Sequence, residues 1–260
     1  HIVTGAVTAA QNLARCVSRA GLDVVDIILQ PLASSAAVLS PEERELGVVM
    51  VDIGGGTTDV AIWVEGCIRH SAVIPMGGNH LTSDLAIGLR TAPEDAEKIK
   101  LQYGVASSQL LNGDENIEVP SVGGRPPRVM PRNVVAQILS PRVEEMFDMV
   151  RREVRRAGYD GMLVAGGVLT GGTSLLLGMA EVAEQVLNLS VRLGRPLGVG
   201  GLRDIVQNPM YSTAVGLIVH SVSQENEFEV VGAGGGQSKK PSRWVGGMMF
   251  KMKGWVTNFF

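Results

Sequence analysis

Hydrophobic positions along this chain recur in two periods, and the switches between them mark out alternating strands and helices. Residues 48–53 (Val-Val-Met-Val-Asp-Ile) form a nearly unbroken apolar run, the pattern of a strand buried on both faces. Residues 59–64 follow a glycine-rich bend and read as its antiparallel partner, and 68–75 add a third strand. Residues 133–156 carry apolar side chains at helical spacing, with Val135, Ile138, Val143, Met146 and Val150 along one side. Further helices are predicted at 9–20 (stopped by Gly21), 32–39 (behind Pro31), 81–89, 93–103 and 209–223. Short strands are predicted at 1–5 and 24–29, a charged surface turn at 41–45, and short β-like runs among the Gly and Pro of 117–129.

Residues 161–180 carry no charge and have the length of a membrane-spanning helix, but six glycines divide them. They predict a strand at 162–165, a glycine turn, a strand-like run at 168–170, a second turn, and a helix to 187, with strand and loop at 191–199. Residues 224–243 turn to Gln, Glu, Asn, Gly, Ser, Lys and Pro, the composition of a flexible linker. Strands followed by helices, an inserted segment, then strand, glycine turn and helix make the class α/β.

Composition changes this picture little. At 45% hydrophobic and 19% charged the chain is an ordinary globular protein. Its net charge of -3 argues against nucleic acid as a partner, because phosphate backbones are held by clustered Lys and Arg. The two cysteines, Cys16 and Cys67, imply neither a disulfide framework nor a metal motif, and the four histidines show no ligand spacing. His1 runs directly into an apolar strand-like segment, so the chain is expected to begin inside a longer protein.

The strongest candidate chemistry is at 52–59, Asp-Ile-Gly-Gly-Gly-Thr-Thr-Asp. Three glycines between two strands let backbone N–H groups approach a ligand with no Cβ in the way. Consecutive amides in such a turn form a concavity for an anion, here a phosphate. Thr57 and Thr58 add hydroxyls, and Asp52 at the strand end suits Mg²⁺ held through water. A plain glycine hairpin is the alternative that the flanking acids and threonines disfavour.

The run VMVDIGGGTTDVAI resembles the second phosphate motif of the actin/Hsp70/sugar-kinase superfamily, and Val168 to Gly178 (VLTGGTSLLLG) resembles its adenosine motif. ILQPLASSAAVL and YSTAVGLIVH are similar to its two connecting helices, in the same order. Within the superfamily, HIVTGAVTAAQNLARCVSRAGL, IRHSAVIPMGGNHLTSDLAIGLRT and DAEKIKLQYG resemble the FtsA family of bacterial cell-division proteins.

The resemblance implies an actin-like ATPase (ribonuclease H-like) fold, present in part. It divides the chain into a remnant of the first large subdomain (1–45), the second large subdomain (46–85 and 151–223), an inserted small subdomain (86–150), a linker (224–243) and a membrane-targeting amphipathic helix (244–260). It implies ATP and Mg²⁺ as cofactors. Gly54, Gly55, Gly56 and Thr57 would contact the phosphates, Gly171, Gly172 and Thr173 the adenosine, and Glu97 and Lys100 the ribose and base. A solvated salt bridge is the other account of Glu97 and Lys100, one turn apart. Gly77 and Gly78 match a turn near the nucleotide.

By the same resemblance the partners are FtsZ, a second copy of the chain in an actin-like polymer, anionic membrane lipids and other division proteins. The place is the cytoplasmic face of the bacterial inner membrane at the division septum. An Hsp70- or sugar-kinase-type ATPase is the alternative function. Three departures bear on catalysis. The adenosine motif has Thr173 for a third glycine and Leu177 for a common proline, and Gln30 stands near the glutamate of ATP-hydrolysing relatives. Gln is no general base, and the first phosphate motif is absent from this stretch, so weak or no ATP hydrolysis is expected of this chain alone, whatever the longer protein does.

Residues 244–260 can be placed on a helical wheel at ~100° per residue from Trp244. Trp255, Met248, Phe259, Met252, Val245, Val256, Met249 and Phe260 then fall between roughly 0° and 160°. Lys251 and Lys253 take the two rims, and Phe250 is the apolar exception. At ~25 Å and with charges, such a helix cannot span a membrane and is expected to lie in its interface; docking on the protein's own core is the alternative, which the polar linker before it disfavours.

Overall fold

The computed structural model describes residues 1–111, 115–198, 200 and 203–232, with backbone alone at 203, 204 and 224–232. The chain falls into two compact units, His1–Ser221 and Val222–Phe260. Of the second, the described part is the end of one helix. The elements in order are α1 (Val7–Arg19), α2 (Gln30–Val38), α3 (Pro41–Leu46), β1 (Val48–Ile53), β2 (Thr58–Val64), β3 (Cys67–Ile74), α4 (Gly78–Leu89) and α5 (Pro93–Tyr103). There follow β4 (Asn116–Val119), β5 (Arg128–Pro131), α6 (Asn133–Ala157), β6 (Gly167–Thr170), α7 (Met179–Leu187), β7 (Val191–Leu193), α8 (Arg203–Val206) and α9 (Ser212–Gly232).

Five strands form one sheet in the order β3-β2-β1-β6-β7. β1, β2 and β3 pair antiparallel as a meander, while β6 joins β1, and β7 joins β6, in parallel. β4 and β5 form a separate antiparallel ribbon. β1 is central and buried at all six positions, as its apolar run predicts.

Strand alternation sends its side chains to two cores. Val49, Val51 and Ile53 join Val60, Ile62 and Leu169 beneath α4, α6 and α7, where Leu81, Leu139, Phe147 and Val182 are buried. Val48 and Met50 join Ala61 and Val168 on the other face, against Ala37 and Val38 of α2 and Val215 of α9. Two helices cross closely there: a Cβ on Gly216 of α9 would lie 1.8 Å from the Ala33 carbonyl oxygen.

Several predicted elements differ. Residues 1–5 and 24–29 form no strand. A strand needs a neighbour to take its backbone hydrogen bonds, and these segments have none among the described residues; Ile2 is 91% and Val25 98% exposed. Helix α1 likewise buries no residue. Residues 162–165 form turns, with Met162 N–H donating to the Tyr159 carbonyl and Gly166 N–H to that of Leu163, while Ala165 N–H reaches the Gly47 carbonyl at 2.8 Å, so no ladder of strand bonds forms. The predicted turn at 41–45 is helix α3, because Ser40 and Glu43 form a reciprocal capping box. Helix α9 continues to Gly232, nine residues into the stretch expected as linker. Among the described residues no helix is long and apolar enough to cross a membrane.

Candidate nucleotide site

The site is built where β1 and β6 end side by side. The loop after β1, residues 54–57, closes with Gly54 N–H donating to the Thr57 carbonyl at 2.9 Å. Its inner carbonyls are all engaged. Gly54 C=O accepts from Gly78 N–H at 3.0 Å and from Thr173 Oγ1 at 2.9 Å. Gly55 C=O accepts from Asn79 N–H at 2.8 Å. The N–H groups of Gly55, Gly56 and Thr57 donate to nothing among the described residues, and those of Gly55 and Gly56 point away from the engaged carbonyls of the trans peptides they belong to. An exposed run of free amides is an anion nest.

The loop after β6 closes against it. Gly171 takes φ +84°, and a Cβ there would lie 2.4 Å from Asp52 Oδ1 and 2.5 Å from the Ile53 carbonyl oxygen. Only glycine allows both the left-handed backbone and this approach. Gly172 and Thr173 continue onto the surface as a short 3₁₀ turn.

A cavity of about 790 Å³ opens beside the two loops. Of the residues anticipated from sequence, Gly55, Glu97, Lys100, Gly172 and Thr173 line it, and Gly54, Gly56, Thr57 and Gly171 border it as parts of the same loops. Apolar walls come from Leu81, Leu101, Leu176 and Met210.

Lys100 is 8% exposed, and its ammonium donates to Gly78 C=O at 3.1 Å and Thr82 Oγ1 at 2.9 Å, with Glu97 Oε2 at 2.7 Å. Burial pushes the Glu97 carboxyl up, but hydrogen bonds from Lys100 and Thr82 outweigh it and hold the group below its ordinary value. Glu97 is therefore an anion at neutral pH, with capacity left to accept from a hydroxyl.

Asp52 does not line the cavity. It is 3% exposed on the α2 and α9 side, where Ser34 Oγ donates to its Oδ2 at 2.6 Å and Thr213 Oγ1 at 3.3 Å. Its Oδ1 takes no hydrogen bond among the described residues, so one oxygen is left for a hydrated cation. Across the β1–β2 pair lies Asp59, 4% exposed, with Oδ2 unpartnered. Burial, and then the charge of Asp52, raise its pKa to about 6.

Sequence reasoning missed Ser34 and Thr213 as supports of Asp52, Thr82 as the second partner of Glu97, and Asn79 and Arg132 on the cavity wall. Asn79 follows the Gly77–Gly78 pair directly, a signal that was available; Arg132 carries none. The tail residues Trp244, Met248, Met249, Lys251, Met252, Lys253, Trp255, Phe259 and Phe260 lie outside the described residues.

The model of the cell division protein FtsA family matches residues 49–216, most of the chain. The chain belongs to the FtsA family. It is 47% identical to cell division protein FtsA of Pseudomonas aeruginosa and 41% identical to that of Escherichia coli K12, in both cases over the whole chain and 62% of the relative. The chain thus spans about three-fifths of the length of these relatives. Among solved structures it resembles MreB5 of Spiroplasma citri bound to ADP (TM-score 0.71, 18% identity, 86% of this chain and 68% of that one). It also resembles the MamK double helical filament (TM-score 0.64, 14% identity, 84% of this chain and 66% of that one). The fold is a mixed α/β, actin-like one.

Proposed function

We propose that this FtsA-family chain binds ATP with Mg²⁺ as part of an actin-like division protein that self-associates and tethers FtsZ to the cytoplasmic membrane. The observation that carries the nucleotide reading is the nest: three N–H groups at 55–57 with no acceptor among the described residues, beside a cavity that suits a nucleoside. Gly55, Gly56 and Thr57 hold phosphate oxygens, Glu97 accepts from a ribose hydroxyl while Lys100 fixes its position, and Leu101 and Leu176 cover the base. Asp52, oriented by Ser34 and Thr213, anchors the hydrated Mg²⁺, which neutralises phosphate charge when bound. MreB5, with the same fold, has been solved with ADP and with AMPPNP. Hydrolysis by this chain alone is weak or absent, because Gln30 is no general base and the carboxylate on the cavity wall, Glu97, is engaged by Lys100 and Thr82.

Residues 86–150 then form the small subdomain that meets FtsZ, and 244–260 the amphipathic helix on anionic lipid, after a connector within 224–243. Self-association is the actin-like property, seen as a filament in MamK.

Two measurements test this. Titration of the full-length protein with a fluorescent ATP analogue shows saturable, Mg²⁺-assisted binding, and Lys100→Ala lowers the affinity by roughly tenfold, as for the loss of a charged hydrogen-bonding group. An unchanged affinity in that variant refutes the site. FtsZ pellets with anionic vesicles only when the protein carries residues 244–260; equal pelleting without them refutes the anchor.

A further inference from the structure

We propose that Asn79 binds the terminal phosphate of a nucleoside triphosphate and is the residue by which this site distinguishes a triphosphate from a diphosphate. The inference rests on the nucleotide-binding reading above.

Contacts order the cavity from one end to the other. At one end Gly55 lies against Asn79. Next come Gly78, Thr173 and Lys100: a Cβ on Gly78 would lie 2.4 Å from Thr173 Oγ1 and 3.4 Å from Lys100 Nζ. Beyond them Gly104 packs against Leu176 and the Lys100 carbonyl, and Arg132 Nε donates to the neighbouring Tyr103 carbonyl at 3.0 Å. The apolar end takes a base, Glu97 and Lys100 in the middle take a sugar, and the phosphate tail runs toward Gly55 and Asn79. The group that a triphosphate has and a diphosphate lacks is at the tip of that tail.

Asn79 is placed for that tip. It is the second residue of α4, and its main-chain N–H is spent on the Gly55 carbonyl at 2.8 Å. Its side-chain amide lies over Gly55, where a Cβ would be 3.3 Å from Oδ1 and 3.6 Å from Nδ2. The amide lines the cavity and makes no hydrogen bond among the described residues. Two other polar side chains on the cavity wall near the nest are committed, Thr173 to Gly54 and Lys100 to Gly78, Thr82 and Glu97, while the free Thr57 hydroxyl belongs to the nest itself and not to the cavity wall facing it. Gln102 is also unpartnered but belongs to the far end, beside Tyr103 and Arg132. A neutral amide beside outward main-chain N–H groups donates to phosphate oxygen without a second charge. A carboxylate in its place has no proton to give and repels the ligand.

The test compares Mg²⁺ with fluorescent ATP and ADP analogues on the full-length wild type, Asn79→Ala and Asn79→Asp, with thermal melting to verify folding. Asn79 is exposed and touches no core, so both variants melt with the wild type. Asn79→Ala lowers ATP affinity several-fold, and Asn79→Asp by roughly tenfold or more, while ADP affinity changes by less than about threefold in either. Equal losses for ATP and ADP, or no loss in Asn79→Asp, overturn the assignment while leaving the nucleotide site standing. A wild type that binds neither nucleotide overturns both.

Discussion

Asp52 and Asp59 face each other across the β1–β2 pair, and the protein treats them oppositely. Asp52 receives two hydroxyl donors, whereas Asp59 is buried with one oxygen unpartnered and titrates near pH 6. A carboxyl whose folded pKa is raised holds its proton more tightly in the native state. Between the ordinary value of 3.8 and about 6, folding therefore takes up a proton, and stability falls as pH rises through that window. The full cost, about 3 kcal/mol, is present above pH 6 and absent below the ordinary value. Asp59→Asn removes it: denaturation at pH 8 shows higher stability than wild type, and the slope between pH 4 and 6 flattens. A wild-type slope in the variant disproves the assignment. Thr173 makes a second case. Its hydroxyl joins the two glycine loops at Gly54, so Thr173→Val costs about 1 kcal/mol of stability and weakens ATP binding in the same titration used for Lys100.

At the scale of elements, α2 and α9 do two jobs through one crossing. They cover the Val48 and Met50 face of the sheet, and they deliver Ser34 and Thr213 to Asp52. The crossing depends on the bare Cα of Gly216 against Ala33. Gly216→Val forces the helices apart and costs about 3 kcal/mol, with Asp52 losing its hydroxyl donors at the same time. Chemical denaturation reads the first effect and loss of Mg²⁺-assisted nucleotide binding the second. On the opposite face α6 runs 25 residues and buries eight of them, Phe147 completely. Helix α6 was legible in the sequence because its apolar spacing is local, whereas α9 was legible only to residue 223, where polar residues set in, and continues to Gly232. Strands β1, β2 and β3 were legible for the same reason as α6. The predicted strands at 1–5, 24–29 and 162–165 were not borne out, since period and composition report which side chains want burial and say nothing of which backbone will pair with them.

At the scale of the whole molecule, residues 1–29 stand apart from the two cores. Helix α1 buries nothing, and Ile2, Val25 and Leu13 are exposed, whereas β1 is wholly buried. Hydrogen exchange on the 260-residue chain shows amides before Leu29 exchanging orders of magnitude faster than those of 48–53. Comparable protection in both regions contradicts this arrangement.

By itself the sequence determined the class of the protein, its central strands and principal helices, and the places of its two glycine loops. Each of these is written in neighbouring residues, where side-chain period, glycine and proline act directly on the backbone. Only the tertiary structure decided that the carbonyls of Gly54 and Gly55 are engaged while the amides at 55–57 keep no acceptor among the described residues. The donors that hold those carbonyls, Gly78, Asn79 and Thr173, lie up to 119 residues away along the chain. No local pattern encodes a hydrogen bond of that span; it exists because β1 and β6 pack side by side and bring their terminal loops into contact.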